Sequence, residues 1–356
     1  MTHEEKVRRI SARVKRAMEE RVFPGCVIGI VHANGERLVL PFGRFTYDDG
    51  ANAVTTDSIY DMASVTKSIP TASLLLLLID RGIVSLDDRL VKYIPEFGNF
   101  PGKEKVSVKH LLTYTLDIVL PPMRTFLQKT PDEIIAAACA APLKSEPGMR
   151  YVYGNPTALF IGLLIRKVAG KDIDAFAAEE FFSPLGMRSS TFHPENIDKE
   201  SIVPTEFDQS GKLIHGEVHD ESTSILNKKF ILGISGLFST APDILNFLEM
   251  LLRRGEYKGT RYFSESIVTM METNQTPHLD DFSGLGWELN QPWFMGTHAD
   301  PHTFGKTGFT GTCVVCDTGK EVAYTILSNR VFPKRPENSS AINAFRADIG
   351  NIILSR

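Results

Sequence analysis

Ser64-Val65-Thr66-Lys67 sets a hydroxyl and an amine three residues apart, just ahead of the apolar run Ala72-Ser73-Leu74-Leu75-Leu76-Leu77-Leu78-Ile79. Three residues are close to one helical turn, so a helix beginning near Ser64 would stand the two groups on one face. A serine hydroxyl is a poor nucleophile until a base takes its proton. An ammonium group can become that base only when burial or neighbouring cations depress its pKa. The leucine run offers such a dry wall and predicts a helix buried all round. No other Ser-x-x-Lys occurs in the chain.

Two further segments could complete a site. Tyr151-Val152-Tyr153-Gly154-Asn155-Pro156 follows the turn Glu146-Pro147-Gly148 and precedes a helix pattern. Tyr153 and Asn155, two apart in a loop, could both face one cleft, whereas within a helix they would diverge. Lys306-Thr307-Gly308, continued by Phe309, ends a predicted strand. Strand alternation would set the Lys306 ammonium and the Thr307 hydroxyl on opposite faces, and Gly308 would let a substrate approach the backbone.

The elements that must position these groups are legible in outline. An amphipathic helix with Val7, Ile10, Val14 and Met18 on one side comes first. Two strands, Cys26 to Val31 and Arg37 to Leu40, then flank Asn34-Gly35, a hairpin signal because both residues tolerate positive φ. The Ser64 helix follows, closed at Gly82. From about Leu86 to about Glu221 the pattern is helical with long loops, including helices over 109–114, 131–141 and 156–169, the last with Pro156 at its first position and Gly170 at its end.

Strand signals return at 286–289, 304–307, 312–316 and 321–328, after a helix over 242–254. A helix with Ile342, Phe345, Ile349 and Ile352 on one face ends the chain. These elements predict an α/β, two-lobed chain. One lobe (1–85 and 222–356) would be an antiparallel sheet drawn from both termini and covered by the terminal helices. The other (86–221) would be mostly helical.

The three chemical segments resemble the signature of the serine β-lactamase and penicillin-binding-protein superfamily, namely S-x-x-K, Tyr-x-Asn and K-T-G. They stand here as Ser64-Val65-Thr66-Lys67, Tyr153-Gly154-Asn155 and Lys306-Thr307-Gly308, in the same order. The tyrosine form points to the class C β-lactamases, the D-alanyl-D-alanine carboxypeptidases of that type and the related esterases. His110 to Thr113, Val218-His219-Asp220 and Gly236 to Thr240 look similar too, so the resemblance spans roughly Pro24 to Ser328.

One departure is Tyr114-Thr115-Leu116-Asp117, where relatives often read His-Thr-Ser-Gly; it should reshape one rim of the cleft. The resemblance implies acyl transfer through an acyl-enzyme on Ser64, with Lys67 or Tyr153 as base and a Tyr153 phenolate favoured if Lys67 and Lys306 are both close. It further implies oxyanion donors at the backbone of Ser64 and Phe309. Asn155 would bond the substrate amide or the Lys67 amine, and Lys306 and Thr307 would attract a substrate carboxylate. A penicillin-binding protein that is acylated without turnover is the alternative.

Composition bounds the rest. The 356 residues are 42% hydrophobic and 23% charged, with a formal net charge of -4, ordinary globular values that leave no basic block for nucleic acid or an anionic membrane. The partner expected is a small molecule or peptide, β-lactams among the candidates, with oligomeric state left open. No signal-peptide pattern precedes the first helix, and the leucine run is too short to span a bilayer, so a cytoplasmic location is expected.

The four cysteines, including Cys313-x-x-Cys316, are read as buried free thiols. The nine histidines are read as scattered, with neither His-x-x-x-His nor His-Glu-x-x-His spacing, so neither metal nor cofactor is expected. His219 followed by Asp220 cannot form a relay, since neighbours on an extended chain point opposite ways, and it is read as structural or rim-lining. The loops over 114–125 and 278–302 are expected to shape the pocket.

Overall fold

The computed structural model describes residues 2–118, 120 and 127–355. Among these, the ten strands are β1 (Gly25–His32), β2 (Arg37–Gly43), β3 (Tyr60–Asp61), β4 (Phe238–Ser239), β5 (Glu256–Tyr257), β6 (Thr260–Arg261), β7 (Glu288–Leu289), β8 (Phe304–Thr307), β9 (Cys313–Asp317) and β10 (Val322–Ser328). Six form one antiparallel sheet in the order β2-β1-β10-β9-β8-β7. The N-terminal hairpin thus pairs with the last strand, Ile28 opposite Ile326. Both chain ends are needed to build the sheet.

β1 is buried along nearly its whole length because each face carries its own core. On one face Cys26, Ile28 and Ile30, with Tyr324 and Ile326, pack beneath the helices His3–Glu19 and Ser340–Leu354 through Ile10, Val14, Ile342, Phe345 and Ile349. On the other, Val27, Val31, Val314 and Leu327 meet the helix Ala241–Leu252 through Ile244, Leu245 and Leu248. Cys313 and Cys316, three apart on β9, fall on opposite faces. They cannot share a ligand.

The hairpin turn uses positive φ only at Gly35 (φ 89), while the Asn34 side chain accepts from the Glu36 N–H instead of adopting the left-handed region itself. Between β3 and β4, among the described residues, the chain forms helices and irregular connections and no strand. The helix Pro131–Ala140 starts with a capping box between Thr130 and Glu133. The helix Asn155–Ala169 starts one residue earlier than expected, with Asn155 ahead of Pro156, and ends at left-handed Gly170.

The Ser64 helix is not continuous. Ala63–Lys67 is a 3₁₀ turn, and Ile69 leaves helical geometry (φ -116, ψ 106). The reason is Pro70, whose ring disfavours helical backbone at the residue before it. The regular helix runs only over Ser73–Asp80, with Ser73 to Leu78 all buried. By length and composition the stretch Ala63–Asp80 could cross a membrane, but most of it is buried within the fold.

Candidate active site

The break in the helix is what sets the first pair. In a 3₁₀ turn the side chains at i and i+3 eclipse, closer than on an α-helix. The Lys67 Nζ donates to Ser64 Oγ at 3.1 Å and to the Ile234 carbonyl at 2.8 Å. Lys67 is 2% exposed. Burial, reinforced by the Lys306 charge and opposed by Asp220, brings its pKa down to about 7. Asp220 is itself held below its usual range: burial pushes it up, but hydrogen bonds from Ser222 and Thr223 and the Lys67 charge outweigh that push.

The turn before Ser64 is strained and strapped. Ala63 adopts φ 45, a left-handed value uncommon for a residue with a Cβ. Asp61 Oδ1 accepts from the Ala63 N–H at 2.8 Å, while Asp61 Oδ2 accepts from the His219 N–H at 2.9 Å. Thr310 and Thr312 donate their hydroxyls to the Asp61 and Met62 carbonyls at 2.7 and 2.9 Å. The loop after Lys306-Thr307-Gly308 is thereby fixed against the Ser64 turn.

Gly308 has a different task from the one expected. A Cβ there would lie 2.1 Å from Thr312 Oγ1 and 2.5 Å from the Met62 carbonyl. The missing side chain lets β8 close on the Ser64 turn, and that side of Gly308 has no room for a substrate. The backbone N–H groups of Ser64 and Phe309 have no protein acceptor among the described residues. Both remain available as donors.

The Tyr153 hydroxyl lies within reach of Ser64, whose hydroxyl favours the phenolate slightly, and the Tyr153 ring centroid lies 5.7 Å from Lys67 Nζ and 4.2 Å from Lys306 Nζ. The expected phenolate does not follow from this arrangement. Burial raises the Tyr153 pKa to about 12, and the pull of Lys306 the other way is smaller. Tyr153 is 44% exposed, so solvent offsets part of that push, but its direction leaves a protonated phenol at neutral pH.

Lys306 is fully buried, and its Nζ donates to Glu288 Oε1 at 2.6 Å. Its ammonium also sits 4.4 Å from the ring centroid of Tyr114, which occupies the rim where the sequence departs from its relatives. The expected carboxylate anchor is therefore already paired with an internal carboxylate. Thr307 is half-buried at the end of β8, paired with Cys313. Lys306 pairs with Val314, on the opposite face, as the alternation predicts.

Asn155 makes no side-chain hydrogen bond among the described residues, so its expected tie to Lys67 is not formed; Ile234 takes that place. Phe309 is 44% exposed and stacks on His219, ring centroids 5.5 Å apart. His219 is buried and held by Glu206 at 2.8 Å, and Glu206 is kept down at about 2: burial pushes up, but bonds from His219 and Arg335 prevail. That ring faces Glu206 and Phe309.

The spacing His-x-x-x-His does occur twice, at His215/His219 and His298/His302, but on loops, not a helix. Separate partners hold these rings: Ile202 for His215, Glu206 for His219, Asn351 for His298 and Glu272 for His302. Of the pocket-shaping loop at 114–125, residues 119 and 121–125 lie outside the described residues. Reading the sequence alone missed Glu288 and the Asp220 charge acting on Lys67, and it set Tyr114 on the rim without its contact to Lys306. Glu288 meets Lys306 from the neighbouring edge strand β7, across 18 residues of sequence, a juxtaposition that no local pattern reveals.

A family model described as Beta-lactamase matches residues 10–348. The chain belongs to the beta-lactamase family. A relative within reach of sequence comparison is a protein of Escherichia coli K12 whose name carries a provisional D-alanyl-D-alanine carboxypeptidase assignment. It is 29% identical over 313 residues, covering 78% of this chain and 70% of its own. A protein of Salmonella agona with the same name is 28% identical over 320 residues, covering 81% and 73%.

Among solved structures, the octameric penicillin-binding protein homologue of Pyrococcus abyssi superimposes with a TM-score of 0.75 at 25% identity, over 98% of this chain and 77% of that one. EstCE1, a hydrolase with promiscuous acyltransferase activity, gives 0.79 at 16% identity over 99% of both chains. The latter likeness is one of fold. Together these relatives make this family member a mixed α/β protein of the β-lactamase/transpeptidase-like fold, similar to serine hydrolases.

Proposed function

We propose that this beta-lactamase family member is a serine acyl hydrolase that works through an acyl-enzyme on Ser64, with Lys67 as the general base. The observation that carries the reading is the buried Lys67 amine, brought down to about 7 and 3.1 Å from Ser64 Oγ. At neutral pH a large fraction is unprotonated and has a lone pair for the serine proton. A base poised near the working pH combines the right protonation state with proton affinity.

In this reading Lys67 takes the Ser64 proton as Oγ attacks the acyl carbonyl. The backbone N–H groups of Ser64 and Phe309 receive the oxyanion, the kind of charge that preorganised donors stabilise most. Tyr153, protonated at neutral pH, gives its proton to the leaving oxygen or nitrogen, and the phenolate so formed lies close to two ammonium groups. Lys67 then returns its proton to Tyr153, and water releases the acyl group. Asn155, with its amide unengaged, would orient the acyl carbonyl side of the substrate.

The substrate class is an ester, amide or peptide, including β-lactams and the D-alanyl-D-alanine peptides after which the relatives are named. Holding a carboxylate with Lys306 would require its pair with Glu288 to open. Intact-protein mass followed over time, with benzylpenicillin and with p-nitrophenyl butyrate, tests the reading. A Ser64-dependent adduct that turns over supports it, whereas a lasting adduct makes the chain a penicillin-binding protein without hydrolysis. Ser64→Ala should form no adduct with either compound while keeping its circular dichroism; activity surviving that change would sink the assignment.

A further inference from the structure

The helix Ser340–Leu354 presents an apolar face to the sheet, and in the middle of that face stands a charge. Arg346 is 3% exposed. Its Nη2 donates to two backbone carbonyls, Gly308 and Thr312, each at 2.8 Å, and its Nη1 donates to Asn343 Oδ1 at 3.0 Å. Nε is buried without a partner, and among the described residues no carboxylate pairs with the guanidinium. A buried, uncompensated cation is costly, and core packing alone would be served by an apolar side chain.

The carbonyls that Arg346 holds bracket the loop that bears Phe309. The Gly308 carbonyl and the Phe309 N–H belong to one trans peptide unit, whose C=O and N–H point in opposite directions. Fixing the oxygen on the guanidinium therefore fixes the heading of the N–H. Arg330 repeats the device one residue on, donating from Nε to the Phe309 carbonyl at 2.8 Å and from Nη1 to the Asn338 carbonyl at 3.3 Å. On the cleft side, Thr310 and Thr312 tie the same loop to the Asp61 and Met62 carbonyls. The loop is held from both sides, and its Phe309 N–H is left free of a protein acceptor.

We propose that Arg346 is a positioning residue of the oxyanion site, clamping the Gly308–Phe309 peptide so that the Phe309 N–H is pre-aimed at the developing oxyanion. Through the peptide it also polarises that N–H, because a cation on the carbonyl oxygen draws electron density from the nitrogen. Arg330 serves as the second jaw of the clamp. The inference rests on the serine acyl-transfer reading above. It adds to that reading a source for the donor's alignment, in a helix that contributes no reacting group.

The test uses the full chain with p-nitrophenyl butyrate as substrate and phenylboronic acid as the tetrahedral mimic, comparing wild type, Arg346→Lys and Arg346→Met. Loss of one oxyanion donor costs roughly 10²–10³-fold in kcat. Arg346→Met is expected to lower kcat about 30-fold or more with KM within about 3-fold, and to weaken phenylboronic acid in proportion to kcat/KM. Arg346→Lys, which can reach one carbonyl but not both, should fall between, and it carries the test if the methionine variant does not fold.

A purely structural role would lower the melting temperature but leave boronate affinity per folded molecule untouched. That outcome, or a kcat within about 3-fold of wild type in folded Arg346→Met (or in Arg346→Lys where only that variant folds), overturns the inference while the Ser64 reading stands. Wild-type protein that shows no Ser64-dependent boronate inhibition overturns both.

Discussion

In the proposed mechanism the chemistry turns on Lys67, whose burial beside an apolar run would let an amine act as a base. Its protonation gives a signed prediction for rate. Below about pH 7 the amine is charged and cannot accept the Ser64 proton, so kcat/KM for a neutral ester should rise with pH, bend near 7 and flatten above it. A profile flat from pH 5 to 9 would remove Lys67 from the role of base. The same residue predicts a stability effect. Its folded pKa lies below the unfolded value of 10.5, so the unfolded chain binds more protons between about 7 and 10.5, and stability rises with pH across that window. Lys67→Met should therefore raise the melting temperature most at pH 6 and least at pH 10, with activity lost at both.

At the scale of elements, the site depends on how close three pieces of backbone can come. Pro70 breaks the leucine-rich helix, the 3₁₀ turn it leaves behind stacks Ser64 on Lys67, and Gly308 lets β8 seat against that turn. Gly308→Ala places a methyl group 2.5 Å from the Met62 carbonyl, so strand and turn must part. We expect it to destabilise the protein by about 1–3 kcal/mol, as overpacking does, and to lower kcat more than tenfold by shifting the Phe309 N–H. Urea unfolding and ester kinetics on the same preparation check both halves, and a stable, fully active alanine variant would contradict the packing argument.

Across the whole molecule the sheet joins sequence ends that are about 300 residues apart. β10 lies between β1 and β9, so it is a central strand, and the following helix covers one face and carries Arg346 to the back of the site. A chain ending at Lys320 would leave two unpaired edges and an open core. It should show no cooperative thermal transition by circular dichroism, and Ser64 should form no adduct in it. A truncated chain that melts cooperatively would mean the hairpin and β9 can find another closure.

Local pattern determined a good deal of this by itself. The alternation at 304–307, 312–316 and 321–328, the apolar face from Ile342 to Ile352, and the residue types at Ser64, Lys67, Tyr153 and Lys306 all follow from periodicity and side-chain chemistry. The turn at Asn34-Gly35 and the helix start at Pro131 are legible because capping and turn preferences act over a few residues. Only the tertiary structure decided the rest. That Lys306 is paired with Glu288, that burial pushes the Tyr153 pKa up and not down, that Lys67 bonds Ile234 and not Asn155, and that Gly308 faces Met62 depend on how distant segments pack and on burial. Both arise from contacts between segments far apart in sequence, which no spacing within a segment can encode.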